Sequence, residues 1–380
     1  MLGGRGLGTS PADRVVGIDV TRSVALIGVV VMNYHGYLNG ANAMESKNWA
    51  GRLFNPWIGV FSTRFAATFV TVAGIGITLL TRRSVASGDR EAINLDRWRL
   101  RRRGLLLLAV GYAFDWIWDG TILPFYGLYF LIASFIFTWR ARSLIIAAAF
   151  AAVLAAGLQV WNHQRLLDGH AELWLLGAPP GGGLRSPRNL ATELLLRGTH
   201  PLLPWLAFLV MGMLLGRALR DFDRLRRRLI SVGLALLTGG YAISTITRLA
   251  TAESDSKLAD HLRHATLTDP FSRGLLYAIT ALGSSLVAVM TITWLAERWR
   301  RSMPVDVLRR AGQTSLSLYV LHALVFNLVV NQAHWVGGTG LDTALVFSAV
   351  FWVVAVGLAA WWHQFVGQGP AERIYRRFGG

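Results

Sequence analysis

Ten stretches approaching 20 apolar residues constrain this chain more than any other feature. They run roughly over 20–40, 58–81, 104–118, 121–139, 143–161, 201–216, 229–248, 274–296, 314–335 and 342–362. About 20 helical residues at 1.5 Å each cross a hydrocarbon core of about 30 Å. Backbone polar groups in lipid must be satisfied within the segment, so each span is expected to be a helix. The expectation is an all-α polytopic integral membrane protein of about ten transmembrane helices, forming a single transmembrane domain over 1–380 with outer loops at 162–200 and 249–272. Composition agrees: hydrophobic residues make up 53% and charged residues 16%, against about a quarter charged in soluble domains. The first stretch is too long for the apolar core of a signal peptide and lacks a small-residue cleavage site, so it is expected to remain as a span.

The basic residues give the chain a direction. The net charge is +17, and Arg outnumbers Lys 36 to 2. With the N-terminus in the cytoplasm, 26 of the 38 basic residues fall on the inner side, eight of them within 82–103, and ten fall outside. The positive-inside rule therefore predicts that both termini are cytoplasmic, in a multi-pass protein of a bacterial plasma membrane. A basic chain this apolar is not expected to bind nucleic acid, which needs one wet basic face. There is no cysteine, which excludes disulfides, thiolate metal sites, Cys nucleophiles and iron–sulfur clusters.

Ionisable groups at membrane depth are costly and stand out as candidates for function. Arg22 and His35 lie 13 residues apart in the first stretch, about 20 Å along a helix. Arg22 is expected near the inner interface, as a snorkelling anchor or a ligand contact. His35 is expected in the outer half, as a hydrogen-bonded interfacial group or a general base. Asp115 and Asp119 share a helix face if the third span continues through Trp118. That span is short, so either the turn after it ends below the outer surface, in a recess, or the bilayer thins locally around it. Arg64 is placed in the same outer half, where it either joins a site or pairs with an Asp to fix helix packing. His322 is placed about 12 Å from the inner side of the ninth span, with Tyr319 one turn before it. His261 and His264 are three apart in the acidic outer loop, but two His without a third ligand do not make a metal site, and none is expected. No phosphate-binding Gly-rich loop, nucleophile elbow or His-Glu-x-x-His motif occurs.

Several ordered pieces resemble one family. Gly17-Ile18-Asp19-Val20-Thr21-Arg22-Ser23, followed by Val31-Met32-Asn33-Tyr34, resembles the first span of the heparan-α-glucosaminide N-acetyltransferase-like proteins. That family is similar to the bacterial YeiB-like membrane proteins and belongs with the wider transmembrane acyltransferases. Asp119-Gly120-Thr121-Ile122-Leu123-Pro124-Phe125-Tyr126-Gly127, His200-Pro201-Leu202-Leu203-Pro204-Trp205 with Gly212 and Gly216, and the run from Gly312 to His322 continue the likeness in order. The resemblance implies an enzyme that takes an acyl group, typically acetyl, from cytoplasmic acyl-CoA and delivers it to a sugar amine or hydroxyl across the membrane. Arg22 matches the family's first-span Arg, Asn33 its Asn, and His322 its ninth-span His. The eukaryotic members carry a His in the loop after the first span; 41–57 holds none here, and His35 is the nearest.

The leading expectation is thus an acyl-CoA-dependent acyltransferase acting on an envelope glycan or glycolipid. His35, His322, Asp119 and Asp115 are its catalytic candidates, and Arg22, Asn33 and Arg64 its donor-binding candidates. Acetyl-CoA is the expected donor, and membrane lipids and a second copy of the chain are the other partners considered. Two rival readings are a transporter of a small polar or glycosylated molecule and a non-catalytic membrane partner with the same fold.

Overall fold

The computed structural model describes residues 16–40, 49–177, 187–338 and 340–380. Most of the turn-rich run at 177–183, with the basic residues Arg5, Arg14, Lys47 and Arg185, lies outside them. Fifteen α-helices are present among the described residues: α1 (Val16–Asn39), α2 (Trp49–Leu53), α3 (Arg64–Ser87), α4 (Arg90–Phe114), α5 (Leu123–Ile136), α6 (Ala141–Leu167), α7 (Pro187–Thr192), α8 (Leu202–Arg217), α9 (Phe222–Ala250), α10 (Lys257–Ala265), α11 (Leu275–Arg298), α12 (Met303–Gln313), α13 (Ser315–Phe326), α14 (Leu341–Phe365) and α15 (Pro370–Gly379).

Each of the ten apolar stretches falls on a helix, but not all are spans by length and composition. Seven helices are long and apolar enough to cross a membrane, and an eighth span arises if Asn189–Arg197 and Leu202–Arg217, bent by 55°, count as one. The stretches at 104–118 and 121–139 fall on α4 and α5. The first half of α4 is dense in Arg, and α5 has only 14 residues, about 21 Å of rise. By length and composition alone, seven or eight of the ten expected spans are met among the described residues.

Local chemistry sets several of the joints. Gly88, at φ 67°, ends α3 with its N–H donating to the Ser84 carbonyl, and Asp89 caps α4 by accepting from the Glu91 N–H. Helices α4 and α5 then pack antiparallel through small residues, as membrane helices do where backbones must approach closely. A Cβ on Gly104 would stand 2.8 Å from the Gly127 carbonyl oxygen, so a larger side chain there would drive the helices apart.

Helix α1 is the axis around which the site is built. It packs against α3, α11, α12, α13 and α14. Tyr34, fully buried on α1, stacks on Phe347 of α14 at 4.5 Å and donates to the His322 carbonyl of α13. Helix α15 folds back onto the start of α13, where Glu372 accepts from the Leu316 and Ser317 N–H groups at 2.7 and 3.2 Å. That carboxylate satisfies donors that a helix N-terminus otherwise leaves free. At the other end of the bundle α10 lies on the end of α6, joined by His163–Asp260 at 2.7 Å and Lys257–Asp168 at 2.6 Å.

Candidate active site

Two cavities approach each other inside the bundle, one from each end of α1. The first encloses about 760 Å³ and is lined by Arg22, Arg82, Arg99, Arg103 and Arg376 over an apolar floor that includes Ile77 and Phe130. Two carboxylates, Asp19 and Glu372, share this lining. Close approach of α1 and α12 fixes Arg22: a Cβ on Gly312 would lie 1.9 Å from the Asp19 carbonyl oxygen. The Arg22 guanidinium donates to Asp19 Oδ1 at 2.9 Å and to the Gly312 carbonyl at 3.3 Å, and Gln313 donates to the other Asp19 oxygen at 3.0 Å. Arg99 is oriented by the buried Asp96 at 3.0 Å, which accepts in turn from the Ser84 hydroxyl. A dense cluster of guanidinium groups above an apolar floor suits a phosphate-bearing ligand with a less polar arm.

The second cavity is a recess of about 400 Å³, lined among others by Asn33, Asp115, Asp119, Glu193, His200 and Tyr319. Two of its carboxylates, Asp115 and Asp119, come from the turn between α4 and α5, and the third, Glu193, comes from the opposite wall. Gly120, at φ 75°, closes that turn and donates its N–H to Asp115 Oδ1 at 3.2 Å, while the Tyr37 hydroxyl of α1 donates to the Asp119 carbonyl. The 115–122 turn forms one wall of this cavity.

His200 enters from the opposite wall, at the break of the bent helix pair. A π-helical turn, Glu193–Arg197, precedes it, a geometry often found at functional sites. Arg197 bonds Glu193 at 3.3 Å and the Thr192 hydroxyl at 2.7 Å, and Arg273 donates to the Gly198 carbonyl at 2.8 Å. Those bonds fix the break. The His200 ring pairs with the Thr199 hydroxyl through Nδ1 at 2.7 Å and meets the Trp205 ring edge-on at 4.5 Å.

The sequence candidates fall into three groups. Arg22 lines the Arg-rich cavity; Asn33, Asp115 and Asp119 line the recess. His322 is fully buried one layer behind Asn33: its Nε2 lies 3.3 Å from the Asn33 amide nitrogen, and its Nδ1 donates to the Tyr319 carbonyl. His35 and Arg64 line neither cavity. His35 is 2% exposed, with no hydrogen-bond partner for either ring nitrogen among the described residues. Arg64 ties α3 to its neighbours, donating to the Thr280 hydroxyl at 2.9 Å, the Tyr241 hydroxyl at 3.3 Å and the Tyr277 carbonyl at 3.3 Å. His261 and His264 belong to the α10 loop, and no group of three or more His, Asp or Glu able to hold a metal ion occurs among the described residues.

Two further residues belong to the site. The sequence sets His200 at the end of an outer loop, and only the short apolar run at 194–196 before it marks the break. It sets Tyr319 one turn from His322, and the structure puts Tyr319 in the lining of both cavities.

Fold and site together define a multi-pass helical membrane protein in which a basic cavity and an acidic recess face one another across the bundle. Residues 14–234 match the family model described as heparan-alpha-glucosaminide N-acetyltransferase, catalytic, and the chain belongs to that family. Residues 217–379 match a second model, described as a protein of unknown function, DUF418, and this order is the YeiB-like architecture. No curated protein matches the chain.

Proposed function

We propose that the protein is a membrane acetyltransferase that takes the acetyl group of acetyl-CoA from the Arg-lined cavity and delivers it to an acceptor in the recess. The observation that carries this reading is the pair of cavities of opposite charge, one lined by five Arg and the other by Asp115, Asp119 and Glu193. The Arg-rich end is read as cytoplasmic, from the charge asymmetry of the sequence, so both termini face the cytoplasm of a bacterial cell. The acceptor is read as a hydroxyl or amine of an envelope glycan or glycolipid, whose polar groups suit a carboxylate-lined recess. Both matched segments contribute walls, Arg22 from one and Gly312 and Glu372 from the other, which supports reading the chain as one transmembrane unit.

In this reading Arg22, with Arg99 and Arg103, holds the donor's phosphates through charge-assisted hydrogen bonds. The thioester reaches the wall between the cavities and presents its carbonyl to the recess. His200 takes the proton from the acceptor as its oxygen or nitrogen bonds to the thioester carbonyl carbon. The carbon–sulfur bond breaks, and the thiolate leaves as free CoA after taking a proton from water in the basic cavity. Asp115 and Asp119 bind and orient the acceptor. His322 acts through Asn33, holding its amide at the recess wall, and is a positioning residue. His35 and Arg64 keep helices in place.

The test is purified protein in vesicles with labelled acetyl-CoA and a glycan acceptor. Label on the acceptor, with stoichiometric free CoA, supports the reading. Saturable solute flux without CoA release would replace it with a transporter. Binding without turnover under any acceptor would favour a non-catalytic partner.

A further inference from the structure

The two cavities share only two lining residues, Ile122 and Tyr319. The wall between them is therefore one side chain thick at its thinnest, and both residues are nearly closed off, at 5% and 3% exposure. Ile122 is the residue immediately before α5 and has no side-chain group to cap that helix, and the Thr121 hydroxyl accepts from the Leu123 N–H only at 3.4 Å. The shorter bond comes from α13. The Tyr319 hydroxyl accepts from the Ile122 N–H at 2.9 Å and lies 3.2 Å from the Thr121 hydroxyl. Thr121 is fully buried, so breaking this latch would strand polar groups away from water, which is costly. One aromatic hydroxyl thus satisfies a donor at a helix N-terminus and holds the wall in place.

We propose that Ile122 and Tyr319 form a fixed septum at which acyl transfer takes place, and that the septum sets the size of the acyl group. This inference rests on the acyltransferase reading for its chemistry, but not for its geometry. The acyl end of the donor passes between the Ile122 side chain and the Tyr319 ring, so that its carbonyl faces the recess, where the acceptor attacks it. The tail of the acyl group must then fit beside the Ile122 side chain and the Tyr319 ring. A latched wall leaves room for a short acyl group and excludes a long one. Ile122 is the specificity-determining residue, because its side chain is the removable part. Tyr319 is the positioning residue, because its hydroxyl holds the turn that carries Ile122.

The experiment compares acetyl-CoA, butyryl-CoA and octanoyl-CoA as donors for the wild type, Ile122→Ala and Tyr319→Phe, measuring kcat/KM from CoA release. The wild type is expected to prefer acetyl-CoA over octanoyl-CoA by at least about 100-fold. Ile122→Ala should raise the butyryl-to-acetyl ratio at least tenfold, because one methylene in a hydrophobic pocket is worth about 10–200-fold. Tyr319→Phe keeps the ring and removes the latch, so it should lower kcat for acetyl-CoA while KM for that donor stays within about threefold. A chain-length profile that is the same in the wild type and an active Ile122→Ala would overturn the septum.

A second readout works without any turnover. The chain has no cysteine, so a single Met32→Cys reports on the recess alone. An impermeant maleimide added at the Arg-rich face should fail to label it in the otherwise unchanged protein and should label it in Ile122→Ala. Equal labelling in both would overturn the septum. Labelling as expected with no acyl-CoA turnover would retain the septum and reject the acyltransferase reading.

Discussion

The Arg-lined cavity and the acidic recess lie at opposite ends of α1, yet they are built by different means. The Arg-lined cavity is made by charge density along continuous helices: Arg82 on α3, Arg99 and Arg103 on α4, and Arg376 on α15 project from regular turns. The recess is made where helices stop. Its groups come from the α4–α5 turn, the broken span at 198–201 and the C-terminal end of α1. A donor held mainly by charge needs many cations and tolerates some imprecision. A reacting acceptor needs a few groups held by fixed backbone, which a pinned turn and a braced break supply.

The difference is sharpened first by His200→Ala. Turnover should fall by about 10²–10⁴-fold, the usual contribution of a general base, with acetyl-CoA affinity measured by equilibrium binding unchanged. His322→Ala should lower kcat less, because it acts through Asn33. A fully active His200→Ala beside a dead, folded His35→Ala would remove the base from the recess.

Arg22→Ala should show the opposite signature. Losing a charge-assisted contact costs about 1.5–3 kcal/mol, so titration should find donor affinity weaker by about 10–150-fold. KM for the acceptor should stay the same. An Arg22→Ala protein that loses acceptor binding instead would reverse the roles of the two cavities.

Asp119→Asn should give a smaller effect. The side chain is exposed at the mouth of the recess, and a solvated contact is worth about 0–1 kcal/mol. Acceptor KM should rise about two- to fivefold in steady-state assays, while donor affinity does not move.

The smallest effect is expected at the α10 loop, outside both cavities. The His163 hydrogen bond holds the Asp260 carboxyl below its usual range, and burial holds the His264 imidazole below its usual range. Both groups bind protons more readily in the unfolded chain, so the stability they lend is present at neutral pH and is lost as the pH falls. For His264 the loss begins near the ordinary imidazole value of about 6.5. Amide exchange in α10, corrected for intrinsic rate, should be about two- to fivefold faster at pH 5 than at pH 7.5, and acetyl-CoA binding should not change.

The two regions also differ in how far they can be read from sequence. Periodic apolar length marks α1, α3, α6, α9, α11 and α14, because a bilayer tolerates few alternatives. Arg22 stands out for a similar reason, as a lone charge at the edge of an apolar run. Asp115 and Asp119 stand out because the stretch that carries them is too short to span. His200 and Tyr319 do not. The break that turns His200 inward depends on Arg197, Arg273 and the space left by Gly198, whose Cβ would lie 2.5 Å from Phe125. Those contacts join residues far apart in the chain. The role of Tyr319 depends on its hydroxyl meeting a backbone N–H 197 residues away, which no local pattern encodes. Arg64 and His35 show the converse: intramembrane polarity singled them out, but tertiary packing turned both away from the cavities.

Donor protection of single cysteines tests the central claim most directly. Ala73→Cys places a thiol in the Arg-lined cavity and Met32→Cys places one in the recess. Each is reacted with a small maleimide that reaches both faces, with and without saturating acetyl-CoA. The account expects acetyl-CoA to slow labelling of Ala73→Cys at least about tenfold and to leave Met32→Cys unchanged. Protection of Met32→Cys with none at Ala73→Cys would place the donor in the recess and contradict it.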